Sequence, residues 1–436
     1  MSAGNIKDIF KSIILDFHKR PLPEVRPRTL KVPLNSGKIV SVIGARRSGK
    51  TYLLYCLMHK LLEKTRKENI LYVNYEDERL SLEKEDLGLL LEAYYELYPG
   101  SKGELYLFFD EIQKIPGWEE FVRRVYDTVT KNIYISGSSS KFLSSEIATS
   151  LRGRSVSYIL YPLSFREYLD FNGADFRDRY SLKNRSRIVS LFREYLFKGG
   201  FPETVGMDDD LRRRTLQSYL DVMIYRDVIE RHNIKNPAAV KAFMNKALEN
   251  SARKFSVNKQ YLEMKSQGYK TGKDPLYEYL SYFEDCFLLY TVPVCSASAS
   301  VRNLTEKKIY AVDCGLANSV SYAFSENTGW CLENAVYVEM RRRGYSVFYH
   351  AGKNECDYVC IRGKTKTAVQ VTASLSGGTR EREVAGLIEA MENNRIRKGL
   401  IITLDEKETI REKGFEIPVK TAWEWMLEDD ENIVLN

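Results

Sequence analysis

Short apolar runs alternate with helical patterns of apolar residues between about residues 36 and 170. The run at 105–109 is unbroken, which is typical of a strand buried on both faces of a parallel sheet. Residues after position 51 instead repeat apolar side chains at helical spacing, namely Leu53, Leu54, Leu57, Met58, Leu61 and Leu62. We predict strands at 38–44, within 70–80, at 105–109, at 133–136 and at the start of 156–169. The alternation predicts a doubly wound α/β domain whose ligand lies at the carboxyl ends of the strands.

The pattern becomes mainly helical from about residue 190 to 250. Gly199, Gly200 and Pro202 interrupt it, which predicts a hinge between domains. Further on, a helix at 257–265, a turn at Gly268 and a second helix from about Pro275 fit a helix-turn-helix. The apolar stretch that follows reads as a strand and completes a winged helix. Lysines make this module basic, at Lys259, Lys265, Lys270 and Lys273. It is suited to binding DNA, or equally to docking between domains.

A separate α/β unit is predicted from about residue 300 to 427. It begins with a strand and turn at 307–317 and a helix at 331–344. Strands are expected at 345–350, 356–363, 367–375 and 399–404, and the segment 422–427 closes the chain.

Composition places the 436-residue chain among soluble globular proteins of two or three domains, because 44% of its residues are hydrophobic and 29% are charged. The N-terminus does not read as a signal peptide and no apolar run reaches membrane-spanning length, so we expect a cytoplasmic protein without a membrane partner. Seven scattered cysteines suggest reduced thiols, and four unclustered histidines argue against zinc. The net charge of +7 is compatible with a nucleic-acid partner, although the arginine runs at 212–214 and 341–343 are more often solvated helix faces.

The segment between the first strand and its helix has the spacing of a phosphate-binding loop. It comprises Gly44, Ala45, Arg46, Arg47, Ser48, Gly49, Lys50 and Thr51. Glycines let the backbone approach phosphates, and the helix N-terminus favours their negative charge. The alternative is a flexible turn with a chance lysine, which the flanking strand and helix argue against.

Two acids end the strand at 105–109. Asp110 is placed to hold Mg²⁺ through water while Thr51 ligates it directly, and Glu111 to deprotonate the attacking water. The alternative is a pair of solvated acids at a strand end. A water-activating base indicates hydrolysis, because a kinase would not benefit from one.

Ser138, just past the fourth strand, is a candidate sensor of the γ-phosphate, with Ser139 nearly as good a choice and an ordinary turn as the alternative. Arg152 and Arg154 precede the fifth strand. A guanidinium there suits a bidentate grip on phosphate, and supplied by another subunit it would be an arginine finger. A surface arginine pair is the alternative.

Together these motifs resemble a family of archaeal and bacterial AAA+ ATPases. The resemblance rests on "GARRSGKT", "LFFDEIQ", "ISGSSS", "LRGR", "YPLSFREYL" and "GGFPE", and weaker matches continue almost to the C-terminus. It implies an AAA+ P-loop domain with a parallel sheet at 1–195, a helical and winged-helix domain at 196–297, and a PD-(D/E)XK, restriction-endonuclease-like α/β domain at 298–436. It also implies ATP and Mg²⁺ as ligands, Ser138 as sensor and Arg154 as finger.

In the last domain the resemblance assigns acids to Glu333 and Asp357. The next strand has Gln370-Val371-Thr372 where that nuclease type carries an acid and a lysine. Gln is no anionic ligand and Thr is no cation, so we expect a catalytically inactive nuclease fold. The two acids alone would bind Mg²⁺ only weakly.

Three functions follow as hypotheses. The first is a homo-oligomeric ATPase that remodels or binds DNA, branched DNA included. The second is a nucleotide-dependent switch in signalling or defence that binds a protein. The third is an active DNA nuclease with a degenerate site. The salt dependence of DNA binding separates the first two, because phosphate contacts weaken steeply with salt.

Overall fold

Five short strands form a parallel sheet in the first part of the chain, as the apolar runs predict. The computed structural model describes residues 3–100, 104–143, 149–178, 181–320 and 328–429, and the chain divides into two units, Met1–Leu160 and Tyr161–Asn436. The strands of the first unit are β1 (Ile39–Ile43), β2 (Ile70–Asn74), β3 (Tyr106–Asp110), β4 (Ile133–Gly137) and β5 (Ser155–Ile159). Its helices include α1 (Ala3–Lys19), α2 (Lys50–Leu62), α3 (Gly88–Leu97) and α4 (Trp118–Thr128).

The strand order of this sheet, β2-β3-β4-β1-β5, decides what meets at its edge. All four neighbouring pairs are parallel, so the carboxyl ends of the strands lie together. The strand that precedes the glycine-rich loop (β1) and the strand that carries the acids (β3) are separated only by β4. Buried side chains of α2, such as Leu54 and Leu57, pack in one core cluster with Val40 and Phe108 of the sheet.

The second unit begins with helices. They are α5 (Phe165–Phe171), α6 (Leu182–Lys198), α7 (Asp209–Val222), which continues as a π-helix over Met223–Glu230, and α8 (Pro237–Glu249). Ser164 and Glu167 form a reciprocal capping box at the start of α5, which satisfies two backbone N–H groups there. The predicted break at Gly199 and Gly200 falls directly after α6.

A small module of helices and antiparallel strands follows. It contains β6 (Arg253–Phe255), α9 (Val257–Ser266), α10 (Lys273–Asp285), β7 (Leu289–Val292), α11 (Ala299–Leu304) and β8 (Lys307–Ala311). Gly268, with a φ of +85°, makes the turn between α9 and α10. The strand β8 pairs with both β6 and β7, and so belongs to this sheet rather than to the C-terminal sheet where its sequence position had placed it.

The C-terminal region carries a six-stranded mixed sheet in the order β13-β14-β12-β11-β10-β9. Its elements are α12 (Cys314–Val320), α13 (Thr328–Arg342), β9 (Ser346–Ala351), β10 (Glu355–Arg362), β11 (Thr365–Val371), α14 (Thr379–Asn393), β12 (Lys398–Thr403), β13 (Glu408–Glu412), β14 (Phe415–Thr421) and α15 (Ala422–Leu427). Buried residues of α14, such as Leu387 and Met391, cover the sheet. Across all described residues, the helices lack the combination of length and apolar character needed to cross a membrane.

Candidate nucleotide site

The glycine-rich loop joins β1 to α2 and depends on its glycines for its path. Gly44 has a φ of +151°, and a side chain there would collide with the carbonyl oxygen of Leu160. Gly49, with a φ of +99°, is the residue that precedes the first turn of α2. Because the first N–H groups of a helix have no partner within the helix, this end of α2 offers donors to an anion.

Lys50 is buried inside the loop. Its Nζ donates to the carbonyl oxygens of Gly44 (3.2 Å) and Ala45 (3.1 Å). The same ammonium lies 3.5 Å from Oε1 of Glu111. This ion pair links the loop to the acid that directly follows β3.

Thr51 and Asp110 are in direct contact. The Thr51 hydroxyl donates to Oδ2 of Asp110 at 2.7 Å, and Tyr72 donates to the same oxygen at 3.1 Å. Burial raises the pKa of Asp110, and the charge of Glu111 adds to this, while hydrogen bonds from Ser136 and Thr51 oppose it. A hydroxyl and a carboxylate side by side at the phosphate loop fit Mg²⁺, since both are oxygen ligands of the kind this ion prefers.

Glu111 has a constrained backbone and a charged neighbour. Its φ is +53°, an uncommon value for a residue with a side chain, and its N–H donates to the Ser136 hydroxyl at 3.1 Å. Gln113 donates to Oε2 of Glu111 at 2.5 Å. Burial raises the pKa of Glu111, but Lys50 and Gln113 outweigh it, so the pKa lies below its usual range. The carboxylate is therefore ionised at neutral pH, as a general base must be.

The serines after β4 differ in their contacts. Ser138 is buried, and within the part of the chain that the structure describes its hydroxyl has no hydrogen-bond partner. Ser139 is also buried, but its Oγ accepts from the N–H of Lys141 at 3.2 Å.

Arg154 does not lie beside the loop of its own chain. It immediately precedes β5, and its carbonyl oxygen accepts from Ile39, at the start of β1, whereas the loop follows the end of β1. Its guanidinium binds Asp127 of α4, with 3.0 Å between Nε and Oδ1. Arg152 is exposed and has a φ of +49°.

Two contacts of the site were not predicted from the sequence. The Ser136 hydroxyl donates to Asp110 and accepts from the N–H of Glu111, so one side chain holds both acids. Arg46 of the loop forms an ion pair with Glu76, with 3.0 Å between Nη1 and Oε1. Neither contact follows from the sequence, because both depend on which strands are neighbours.

The second predicted pair of acids, in the other unit, also comes together. Oε1 of Glu333 and Oδ1 of Asp357 both contact the ammonium of Lys308. Gln370 accepts from the N–H of Asp357, whereas Thr372 donates to the carbonyl oxygen of Ser374. Among the described residues, no group of three or more His, Cys, Asp or Glu side chains is arranged to hold a metal ion.

Comparison with known proteins places these features in a family. Residues 36–169 match the model of the AAA domain, and residues 189–327 match a domain of unknown function, DUF8612. An uncharacterized protein of Methanocaldococcus jannaschii is 35% identical over 435 residues, which cover 97% of this chain and 96% of that protein. An uncharacterized protein of Haemophilus influenzae is 30% identical over 391 residues, covering 88% of this chain and 93% of that protein.

Among solved structures, a Walker-type ATPase of Pyrococcus abyssi is 15% identical with a TM-score of 0.42, covering 66% of this chain and 91% of that one. The sequence relatives decide the assignment. The chain belongs to the same family as the archaeal and bacterial relatives, and its first domain is an AAA-type P-loop ATPase domain. The AAA part of the expected resemblance is confirmed.

Proposed function

We propose that this protein binds ATP with Mg²⁺ and hydrolyses it at the loop between β1 and α2. The observation that carries the proposal is the 2.7 Å contact between Thr51 and Asp110. It brings the last residue of the phosphate loop together with the acid of another strand, which is the pairing that a nucleotide–magnesium site needs.

Each side chain has a distinct role in this proposal. Lys50 pairs with the β- and γ-phosphates, and Glu111 takes the proton of the attacking water. Thr51 and Asp110 would hold the magnesium ion, which neutralises phosphate charge when bound. Ser136 positions both acids through its two hydrogen bonds.

Ser138 and Arg154 complete the proposal. The unpartnered Ser138 hydroxyl favours it over Ser139 as the group that senses the γ-phosphate. Arg154 lies away from its own loop, so its role as a finger requires a second subunit and hence a homo-oligomer.

The test compares two variants by their ATP affinity and their turnover. Lys50→Ala is expected to weaken ATP binding and hydrolysis together, because the phosphates lose their cation. Glu111→Gln is expected to keep ATP affinity and lose turnover by roughly 10²- to 10⁴-fold, because the amide does not accept a proton. Equilibrium binding of labelled ATP and phosphate release with Mg²⁺ or EDTA measure both quantities. Equal loss of ATP affinity in the two variants would contradict the separate roles.

We further propose that the module from α8 to β8 is a winged helix that contacts DNA. Its order of elements, α8-β6-α9-α10-β7-α11-β8, with a three-stranded antiparallel sheet, supports the first part. Exposed lysines on and around α9 and α10 support the second part: Lys259, Lys265, Lys270 and Lys273. Exposed Leu262 and Tyr277 beside them favour the alternative, a nucleotide-controlled surface that binds a protein.

DNA binding is expected to weaken steeply with salt, because each phosphate contact releases counterions. Replacing all four lysines by glutamine should lower affinity and reduce the slope of log K against log salt by up to about 3 to 4 on duplex DNA. Binding is measured on single-stranded, duplex and four-way-junction DNA, and a variant with Lys364 and Lys366 replaced is the charge control. A slope that the four changes leave intact would favour the protein-binding alternative.

A further inference from the structure

Lys308 is a buried charge on β8, only 3% exposed. Its Nζ lies 2.9 Å from Oδ1 of Asp357, 2.9 Å from Oε1 of Glu355 and 3.2 Å from Oε1 of Glu333. A buried ammonium is stable only when paired and hydrogen-bonded. Here three carboxylates supply one oxygen each to its three donors.

Other groups of the protein also donate to these carboxylates. Val371 donates its N–H to Oδ2 of Asp357 at 3.0 Å, and Lys254 of β6 lies 2.6 Å from Oε2 of Glu355. Tyr310, two residues after Lys308, donates to Oε1 of Glu333 at 2.7 Å. The donors to the cluster are groups of the protein itself, and three of them come from the strands β6 and β8.

The surroundings of residue 370 require both a hydrogen-bond acceptor and a donor, as a neutral amide provides. Gln370 accepts from the N–H of Asp357 through Oε1 and donates through Nε2 to Oε2 of Glu383. A carboxylate at this position would face the carboxylate of Glu383 with an acceptor instead of a donor, and would add repulsion. The site therefore gains no fourth anion from β11.

The protonation of the cluster is consistent with one buried cation. Burial lowers the pKa of Lys308, but Asp357, Glu333 and Glu355 outweigh it, so the pKa is raised and the ammonium is retained. Burial and the charge of Asp357 raise the pKa of Glu333, while Lys308 and the hydrogen bond from Tyr310 oppose this rise.

We infer that the Lys308 ammonium stands where a divalent ion would otherwise join Glu333 and Asp357. The acid pair then acts as an ionic lock between β8 and the α13–β10 part of the C-terminal region, not as a metal site. An ammonium with three carboxylate oxygens at 2.9 to 3.2 Å takes the oxygens that a metal would need.

The test titrates nucleotide-free protein with Mn²⁺ and follows free Mn²⁺ by electron paramagnetic resonance. The parent protein and Asp357→Asn should bind the same amount of Mn²⁺. Lys308→Met should gain one Mn²⁺ site per chain, because the methionine has nearly the same length without the charge. That site should vanish in Lys308→Met/Asp357→Asn and be missing in Lys308→Arg, which keeps a cation. The phosphate loop is unchanged in all variants, so any Mn²⁺ it binds cancels.

A Mn²⁺ site in the parent that is lost in Asp357→Asn would overturn the inference. A folded Lys308→Met protein that gains no Mn²⁺ site would also overturn it. If Lys308→Met does not fold, the inference is tested instead by the melting temperature of the parent protein. It should respond to Mn²⁺ and EDTA in the same way as that of Asp357→Asn. A Mn²⁺-dependent rise confined to the parent would mean that metal, and not Lys308, joins the acids.

Discussion

At the scale of single residues, two adjacent acids differ because their partners differ. Asp110 is buried against hydroxyl groups and next to a carboxylate, so its pKa is raised. Glu111 is also buried, but faces Lys50 and Gln113, so its pKa is lowered. The left-handed backbone of Glu111 turns its side chain toward Lys50 and leaves Asp110 with Thr51.

Ser136 links these two acids, and its removal should slow hydrolysis more than it weakens ATP binding. Ser136→Ala deletes the donor to Asp110 and the acceptor for the N–H of Glu111, and leaving such buried groups unpaired costs about 1 to 3 kcal/mol each. We expect turnover to fall by roughly 10- to 100-fold. Phosphate release and ATP affinity are measured, and Ser41→Ala, which removes a buried serine hydroxyl from the neighbouring strand β1, is the control. A fall no larger than that of Ser41→Ala would remove Ser136 from the site.

The sequence predicted the site residues that lie within one short segment of the chain. It did not predict those that the order of the strands brings together. The loop at 44–51 and the acids at 110–111 were found because each lies at the end of an apolar run. Ser136 and Lys308 were missed because each depends on a non-local pairing: β4 inserts between β1 and β3, and β8 joins β6 and β7. Lys364 and Lys366 lie near Gln370 in the sequence, whereas Lys308 lies near the C-terminal acids in space.

At the scale of elements, the five strands of the first sheet were predicted to within a few residues, since the first four apolar runs end in glycine or polar residues and the fifth is followed by Pro162. The helix α14 was missed although Val384, Leu387, Ile388 and Met391 have helical spacing. The β13–β14 hairpin was missed for a physical reason. It lies at the sheet edge, and Ile410 is the single buried residue of β13, so the apolar signal is weak.

The glycine break after α6 is held by a buried carboxylate. The N–H of Gly200 donates to Oδ2 of Asp313 at 2.7 Å, and that of Leu316 donates to Oδ1 at 3.0 Å. A side chain at Gly199 would collide with this carboxylate. The predicted hinge is therefore tied, through Asp313, to the first turn of α12.

Asp313 should make the protein less stable as pH rises. Burial raises its pKa from 3.8 to about 6, although the backbone N–H bonds oppose this. The folded state thus binds the proton more tightly than the unfolded state. The stabilisation is complete below the unfolded pKa and is lost as pH rises through the folded one, by about 3 kcal/mol in all. Urea unfolding at pH 4, 5, 6 and 7 should show this decline in the parent.

The matched variant is Asp313→Asn, which does not titrate. It should be less stable than the parent at every pH, because one amide oxygen replaces two acceptors, but it should lack the extra decline between pH 4 and 6. Equal pH dependence of parent and variant would mean that Asp313 titrates normally.

At the scale of the whole molecule, the ATPase proposal depends on whether one chain is sufficient. The described side chains around the loop include Lys50, Asp110, Glu111 and Ser138, but Arg154 lies at the other end of β5. An arginine that reaches the transferred phosphate from another subunit raises the rate by on the order of 10³ to 10⁵. The proposed role of Arg154 therefore requires an assembly of several chains.

Arg154→Ala should lower ATP hydrolysis by on the order of 10³-fold while ATP affinity stays the same, because the finger acts on the transition state. The ion pair with Asp127 offers a sharp control. If Arg154 only stabilises its own domain, Asp127→Asn should reduce hydrolysis as much as Arg154→Ala does. If Arg154 is a finger, Asp127→Asn should leave hydrolysis nearly unchanged, because the arginine is still present and is no longer held by Asp127.

Mixing variants then tests whether the arginine acts between subunits. Lys50→Ala lacks a working loop but keeps its arginine, and Arg154→Ala has the reverse defect. In mixed assemblies the arginine of the first protein can reach the loop of the second, so phosphate release should rise above the sum of the two separate activities. Subunit exchange is followed in the same samples by energy transfer between labelled chains. Complete exchange without any gain in hydrolysis would exclude a finger acting between subunits, and Arg154 would then be a residue that stabilises α4 and β5 through Asp127.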